Sequence, residues 1–258
     1  MTTAAEAATK ATELKRLHEA PEILRVVNVW DAITTKVVSS LGATKAIATA
    51  GHSIAAAHGY KDGTIPLELA LAAVERIVGA TDLPVTADLD AGFDNPGETI
   101  RRAIGIGVVG ANVEDRLKPT AEFARDVQAI VAAGEAAGVA FQLNARTDAV
   151  LKGGDKPMDQ KLADAIERGR AYLEAGASLI FVPGKLDRAA TEQLVAGLGR
   201  GKLSVIGVPG ALSAKEYEWS DQLQVVAKVP APGDQTRWFY GSGEQDVLIP
   251  FEVQPGEL

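Results

Sequence analysis

The sequence predicts a single α/β domain, a (β/α)8 TIM-type barrel with an atypical C-terminal segment. The chain has 258 residues, and barrels of this kind commonly run to about 250 residues as one unit. Short β-branched runs alternate regularly with longer Ala-rich segments of helical period. An open doubly wound sheet would fit the same alternation, but polar residues follow several different strands, which favours a barrel mouth.

The elements follow in order along the chain. Strands are predicted at 25–29, 44–49, 84–88, 108–113, 140–145, 178–182 and 203–207, and helices at 12–20, 33–41, 67–80, 96–105, 121–137, 158–175 and 188–198. Gly42, Gly138 and Gly176 follow helices, where a left-handed residue would turn the chain into the next strand. The strands lack polar alternation, which is typical of a sheet buried on both faces.

Seven strands leave the barrel one short. We expect a barrel core at 1–212 and a divergent segment at 213–258, because the helix-strand alternation stops near Ser213. Within that segment, 223–229 is a candidate eighth strand and 246–253 an additional edge strand. The segment would then complete the barrel or contact a neighbouring subunit.

Composition excludes several function classes. A formal net charge of −8 opposes nonspecific binding to nucleic acid or to an anionic membrane. The absence of cysteine excludes disulfides, thiolate metal sites and cysteine nucleophiles. No signal-peptide pattern and no apolar run of roughly 20 residues occurs, so we expect a cytoplasmic protein that binds small molecules.

Acidic residues end two neighbouring predicted strands. Asp88 and Asp90 are two apart, so on an extended backbone they face the same side and repel each other. Glu114 ends the next strand. Oxygen-only ligands of this kind suit Mg²⁺, with Mn²⁺ as the alternative. Paired acids at strand ends can also be simple helix caps, and Asn95 before Pro96 has the pattern of one.

Four motifs occur in order at 28–32 (NVWDA), 87–93 (ADLDAGF), 112–116 (NVEDR) and 144–149 (NARTDA). Together they resemble the isocitrate lyase and phosphoenolpyruvate mutase superfamily over about residues 14–210. The resemblance implies a barrel that holds Mg²⁺, largely through water, with Asp88, Asp90 and Glu114. It also implies a small carboxylate substrate, a 2-oxo acid or enolpyruvyl compound, and chemistry at a C–C or P–C bond beside its enolate.

The resemblance extends to the residues that would bind substrate. Arg146 matches an arginine that holds a carboxylate or phosphonyl group, a task for which its planar fork is suited. Asn144 belongs to the same motif and is taken as substrate-binding. The turn after the second strand resembles one that offers backbone N–H groups to the same anion, through Gly51 and Ser53.

Three further residues are candidates near the first two strands. His52 could be a general base with a pKa near neutrality, although a loop histidine is often merely solvated. Trp30 would form a wall of the pocket. Asp31 is assigned a supporting catalytic role.

The sequence departs from the lyase pattern where Lys118-Pro119 replaces a loop with a Lys-Cys-Gly-His run. The leading hypothesis is therefore a Mg²⁺-dependent enzyme similar to the phosphonomutase and oxaloacetate-processing branches. The alternatives are a catalytically silent barrel that acts as a sensor or partner protein, and a cysteine-independent 2-methylisocitrate/isocitrate-type lyase or oxaloacetate hydrolase. Relatives assemble as dimers or tetramers, so the resemblance also implies a homo-oligomer.

Overall fold

Eight parallel strands close into a barrel in chain order, with helices between them on the outside. The computed structural model describes residues 3–207, 224–227, 240–242 and 245–247. The strands are β1 Leu24–Val29, β2 Ile47–Thr49, β3 Val85–Asp88, β4 Gly110–Glu114, β5 Gln142–Arg146, β6 Leu179–Phe181, β7 Leu203–Gly207, β8 Gln224–Ala227, β9 Tyr240–Ser242 and β10 Gln245–Val247. The helices are α1 Ala4–Glu19, α2 Ala32–Ser39, α3 Gly51–Ala57, α4 Leu67–Val78, α5 Pro96–Gly105, α6 Thr120–Ala136, α7 Met158–Glu174 and α8 Arg188–Leu198.

The predicted barrel is confirmed, and its closing strand comes from the C-terminal part of the chain. β8 pairs with β7 on one side and with β1 on the other, with Val26 opposite Val226. β10 overlaps the start of the edge strand predicted at 246–253 and pairs with β9 instead of the barrel. The rest of that prediction, at 248–253, lies outside the described residues, and the division at 212/213 stays a prediction.

Three local features differ from the sequence prediction. α1 begins at Ala4 because Thr3 and Glu6 form a reciprocal capping box, a signal that the apolar pattern alone does not show. The short helix α3 was not predicted, and it has no side-chain cap. Gly138 and Gly176 adopt positive φ angles of 67° and 109°, whereas Gly42 is not left-handed.

Helix α1 covers the N-terminal end of the barrel. Its Leu14 is fully buried and packs against Gly110 of β4, where an added Cβ would lie 2.9 Å from Leu14 Cδ2 and 2.8 Å from the Gln142 carbonyl oxygen. The opposite, carboxyl-terminal end is therefore the one left open for ligands. Within the described residues, none of the helices combines the length and apolarity that a bilayer span needs.

Candidate active site

A cavity of about 560 Å³ opens at the carboxyl-terminal ends of the barrel strands. Barrel proteins place their functional residues at this end. The cavity is lined by Asn28, Ala48, Thr49, His52, Asp62, Gly63, Thr86, Ala87, Asp88, Asp90, Asn112, Glu114, Arg116, Asn144, Arg146, Leu151, Lys152, Phe181, Pro183 and Ile206. The lining has an acidic side after β2 and β3, a cationic side after β4 and β5, and an apolar side after β6 and β7.

Asp88 ends β3 with its carboxylate fixed on both oxygens. The Gly51 N–H donates to Oδ2 at 3.0 Å, and Asn112 Nδ2 donates to Oδ1 at 3.2 Å. The Asp88 backbone N–H donates to Thr49 Oγ1 at 2.9 Å. Residues of β2, α3 and β4 thus position this carboxylate, which lines the cavity.

Asp90 follows in the turn after β3 and has a left-handed backbone, with φ of 51°. The turn is held because the Glu114 N–H donates to the Asp90 carbonyl oxygen at 2.7 Å. Burial, and then the negative charges of Asp88, Asp62 and Glu114, raise the pKa of Asp90 to about 6. A cavity wall that raises a carboxyl pKa in this way concentrates negative potential and favours a cation.

The acidic side fits a hard divalent cation through its donor chemistry. Its side-chain donors are carboxylate oxygens, the ligands that Mg²⁺ prefers, often with several waters retained. In the part of the chain that the structure describes, no three acidic or histidine side chains converge closely enough to coordinate an ion directly. The carboxylate oxygens of this side fit a divalent cation that keeps several of its waters.

The cationic side begins with Arg146 at the end of β5. Its Nη2 lies 3.2 Å from Glu114 Oε2, and its Nε donates to Asp148 Oδ1 at 2.8 Å. Burial alone would lower the pKa of Arg146, but the carboxylates of Glu114 and Asp148 outweigh it, and the pKa is raised. Arg116 Nε donates to Glu114 Oε1 at 2.8 Å, so two guanidinium groups share that one carboxylate.

Asp115 lies beside these residues in sequence but points into the protein. Its Oδ2 accepts from Tyr172 Oη at 2.8 Å and from Arg168 Nη1 at 3.3 Å, both on α7. Its Oδ1 accepts from the backbone N–H groups of Leu117 and Asp148. Asp115 thus joins the short β4–α6 connection to the loop after β5 and to α7, and its role is structural.

Six of the predicted site residues line the cavity: His52, Asp88, Asp90, Glu114, Asn144 and Arg146. Their assigned roles stay predictions. Asn144 Oδ1 is buried with no hydrogen-bond partner among the described residues, so it can accept a hydrogen bond from a ligand or a water. His52 Nε2 lies 2.9 Å from Ser53 Oγ.

The structure gives the other four predicted residues different surroundings. Asp31 is the N-cap of α2, and its Oδ1 accepts from the Thr34 N–H at 2.7 Å. Its supporting catalytic role stays a prediction. Trp30 and Ser53 are buried outside the cavity lining. The Gly51 N–H is taken by Asp88. It therefore positions a carboxylate of the protein, and the substrate-binding role assigned to Gly51 stays a prediction.

Sequence reasoning did not single out Asp62, Arg116 and Lys152 as ligand-binding candidates, although all three line the cavity. Asp62 comes from the loop between α3 and α4, with no strand end to mark it. Arg116 and Lys152 were visible only as charges near strand-ending motifs, in loops whose placement no local pattern specifies.

The fold and the cavity define an α/β-barrel protein with an acidic side and a cationic side at one mouth. The family model described as phosphoenolpyruvate phosphomutase matches residues 14–225. The chain belongs to that family, within the phosphoenolpyruvate mutase/isocitrate lyase superfamily.

Curated relatives are lyases. The chain is 32% identical over 189 residues to the 2,3-dimethylmalate lyase of Eubacterium barkeri, covering 67% of this chain and 62% of the relative. It is 30% identical over 188 residues to the 2-methylisocitrate lyase of Bacillus subtilis, covering 66% and 58%. The match thus spans less than two thirds of the length of these relatives.

Solved structures agree on the fold. A crystal structure from Burkholderia cenocepacia J2315, assigned as a phosphonomutase, has a TM-score of 0.81 and 34% identity, covering 89% of this chain and 94% of that one. A phosphonopyruvate hydrolase solved with oxalate and Mg²⁺ has a TM-score of 0.72 and 20% identity, covering 84% and 79%.

Proposed function

We propose that the protein is a Mg²⁺-dependent enzyme that forms or breaks a C–C or P–C bond beside the enolate of a small 2-oxo acid or enolpyruvyl substrate. The observation that carries this proposal is the cavity itself, which Asp62, Asp88 and Asp90 line together with Arg146. Family membership supports the reaction class, since the relatives are named as lyases and a phosphonomutase.

The acidic residues would hold the ion. Asp88, Asp90 and Glu114 are the proposed ligands, with Asp62 adding negative charge at the mouth. When bound, a divalent cation stabilises the negative charge that develops on an enolate oxygen, an effect of several kcal/mol as a rough estimate. The phosphonopyruvate hydrolase solved with oxalate and Mg²⁺ supports this choice of ion and ligand.

The protein's own residues would orient the substrate. Arg146 lies at the carboxyl-terminal end of β5 and lines the cavity, where its planar guanidinium suits a carboxylate or phosphonate. Asn144 and Asn112 have buried amide oxygens without partners among the described residues, so they can accept donors from a ligand or from ordered water. His52 lines the cavity within reach of a ligand and is the candidate proton carrier.

Calorimetry of Mg²⁺ and oxalate binding tests the proposal. Asp88→Ala should lower the affinities for both Mg²⁺ and oxalate by at least about tenfold, because a fixed carboxylate is removed. Arg146→Ala should weaken oxalate by a similar factor while leaving Mg²⁺ affinity close to wild type. Asp126→Ala is the matched control, since Asp126 pairs with Lys118 outside the cavity lining. Unchanged Mg²⁺ affinity in Asp88→Ala would overturn the metal assignment.

A second candidate is a barrel that binds metal and carboxylate without turnover, as a sensor or partner protein. The short connection between β4 and α6 favours it, because residues 115–119 leave no room for a long loop and the chain has no cysteine. Assays with phosphonopyruvate, oxaloacetate and 2-methylisocitrate separate the two. Oxalate binding without turnover of any of them would favour the silent barrel.

The assembly and location of the protein are also proposals. We propose a cytoplasmic homo-oligomer, a dimer or tetramer, on the basis of family resemblance. Light scattering on the purified full chain tests the oligomeric state, and a monomeric mass at micromolar concentration would contradict it.

A further inference from the structure

Arg146 and Lys152 are held side by side by one buried carboxylate. Asp148 is fully buried, and its Oδ1 accepts from Arg146 Nε at 2.8 Å and lies 2.7 Å from Arg146 Nη2. Its other oxygen, Oδ2, pairs with Lys152 Nζ. Because a single carboxylate bridges both cations, the ammonium and guanidinium heads are fixed close together at the cavity wall.

Lys152 is also turned toward the second carboxylate of the cationic side. Its Nζ lies 4.0 Å from Glu114 Oε1, the oxygen that already accepts from Arg116. Among the described residues, the direct ion pairs of Arg116, Arg146 and Lys152 are all made with Glu114 and Asp148. Three cationic side chains thus share two carboxylates at the cavity wall.

The position of Lys152 is built by the loop after β5. The Lys152 N–H donates to the Asp148 carbonyl oxygen at 2.7 Å. At the next residue, Gly153, an added Cβ would clash with the Ala149 carbonyl oxygen. The side chain of Lys152 is 47% exposed and lines the cavity, so its head can still contact a ligand.

The described part of the neighbouring wall carries no charged side chain. After β6 and β7 the cavity is lined by Phe181, Pro183 and Ile206. Among the described lining residues, the arginine and lysine side chains, Arg116, Arg146 and Lys152, all lie after β4 and β5. A carboxylate or phosphonate bound there would meet both Arg146 and Lys152.

We propose that Lys152 is a specificity-determining residue that, together with Arg146, binds a second oxyanion group of the substrate. The substrate would then be a 2-oxo acid that carries a distal carboxylate or phosphonate, and a monoanion such as pyruvate would be a poor ligand. This inference rests on the proposed function, because it assumes that the 2-oxo carboxylate end lies at the acidic side with Mg²⁺. Arg146 would contact both ends of the substrate, so it also affects oxalate, whereas Lys152 would contact only the distal group.

The test compares ligands with and without the distal group in the presence of Mg²⁺. Displacement of oxalate measures the affinities of pyruvate, oxaloacetate and phosphonopyruvate for wild type, Lys152→Met, Lys152→Arg and Lys156→Met. Lys156→Met is the matched control, because Lys156 lies in the same loop, pairs with Asp164 and does not line the cavity. Circular dichroism checks that each variant is folded.

Lys152→Met should lower the affinity for oxaloacetate or phosphonopyruvate by about tenfold, as expected for the loss of one charge-assisted contact. The affinities for oxalate and pyruvate should change by less than about twofold. Lys152→Arg should restore most of the affinity, and Lys156→Met should behave as wild type. The ligand whose affinity falls more in Lys152→Met identifies the preferred distal oxyanion.

Two results would overturn the inference and are distinguishable from failure of the proposed function. An unchanged affinity for both distal-anion ligands in Lys152→Met, or an equal loss for pyruvate, would overturn it while oxalate binding to wild type remains. If wild type does not bind oxalate with Mg²⁺, both the proposed function and this inference are wrong.

Discussion

Glu114 and Arg146 are opposite each other in the parallel register of β4 and β5, and Arg146 Nη2 lies 3.2 Å from Glu114 Oε2. Each ends its strand, so the register itself brings an acid and a guanidinium to the cavity rim. Arg146 is fixed from its other side by Asp148. The candidate anion site therefore depends on carboxylates placed by the barrel strands and by the loop after β5.

Asp148→Asn should destabilise the protein by about 3 kcal/mol, because it removes the charge of a fully buried partner of Arg146 and Lys152. Urea unfolding measures the change. Glu98→Gln, which breaks an exposed ion pair with Arg101, is the control and should leave stability unchanged within error. Equal effects of the two substitutions would contradict the buried bridge.

Tyr172→Phe should lower the free energy of unfolding by about 1 to 2 kcal/mol, because the buried hydroxyl donates to Asp115 Oδ2 at 2.8 Å. Burial and the adjacent Asp115 charge raise the pKa of Tyr172, so the hydroxyl stays protonated as a donor. The ring contact with Phe123, with centroids 4.8 Å apart, remains in the variant. Tyr60→Phe, at an exposed tyrosine, serves as control in the same unfolding assay. A neutral Tyr172→Phe would show that Asp115 does not need this bond.

Gly110→Ala should destabilise the barrel by at least about 2 kcal/mol, since the new Cβ would meet both Leu14 of α1 and the Gln142 carbonyl oxygen below 3 Å. Gly42→Ala is the matched control. An added Cβ at Gly42 meets nothing within 4 Å, so its stability should be unchanged or slightly higher. Thermal unfolding of both variants is the measurement, and equal melting temperatures would argue against α1 packing into this end of the barrel.

His18 should make stability depend on pH between about 4 and 6.5. Burial lowers the pKa of His18 to about 4, and its Nε2 has no hydrogen-bond partner among the described residues. Between these two pKa values the unfolded chain binds a proton at His18 more readily than the folded protein does. The stability that neutral His18 contributes is therefore fully present above the unfolded pKa and is lost as the pH falls toward the folded pKa.

The test is urea unfolding of wild type and His18→Gln at pH 7.5 and 5.0. Wild type should lose about 2 kcal/mol more than the variant on acidification, from the separation of folded and unfolded pKa values. Parallel losses in the two proteins would show that His18 is not protonated on unfolding.

Much of the fold could be predicted because each strand and helix of the barrel has its own local sequence pattern. Strands without polar alternation, and helices whose apolar residues recur three and four residues apart, predicted the alternation of strands and helices. Asn95 before Pro96 is the N-cap of α5, as expected. Asp88, Glu114 and Arg146 could be placed at one rim because parallel strands present their carboxyl ends to the same side. Asp31 looked similar in sequence, yet its carboxylate caps α2.

The sequence by itself determined the order of the elements, the family and the strand ends that deliver Asp88, Glu114 and Arg146. Only the tertiary structure decided which charges meet. It brought Asp62 to the cavity of Asp88, paired Asp115 with Arg168 instead of Arg116, and placed Lys152 beside Arg146. The physical reason is that periodicity reports each residue's neighbours along one element, whereas ion pairing depends on where loops distant in sequence bury their side chains.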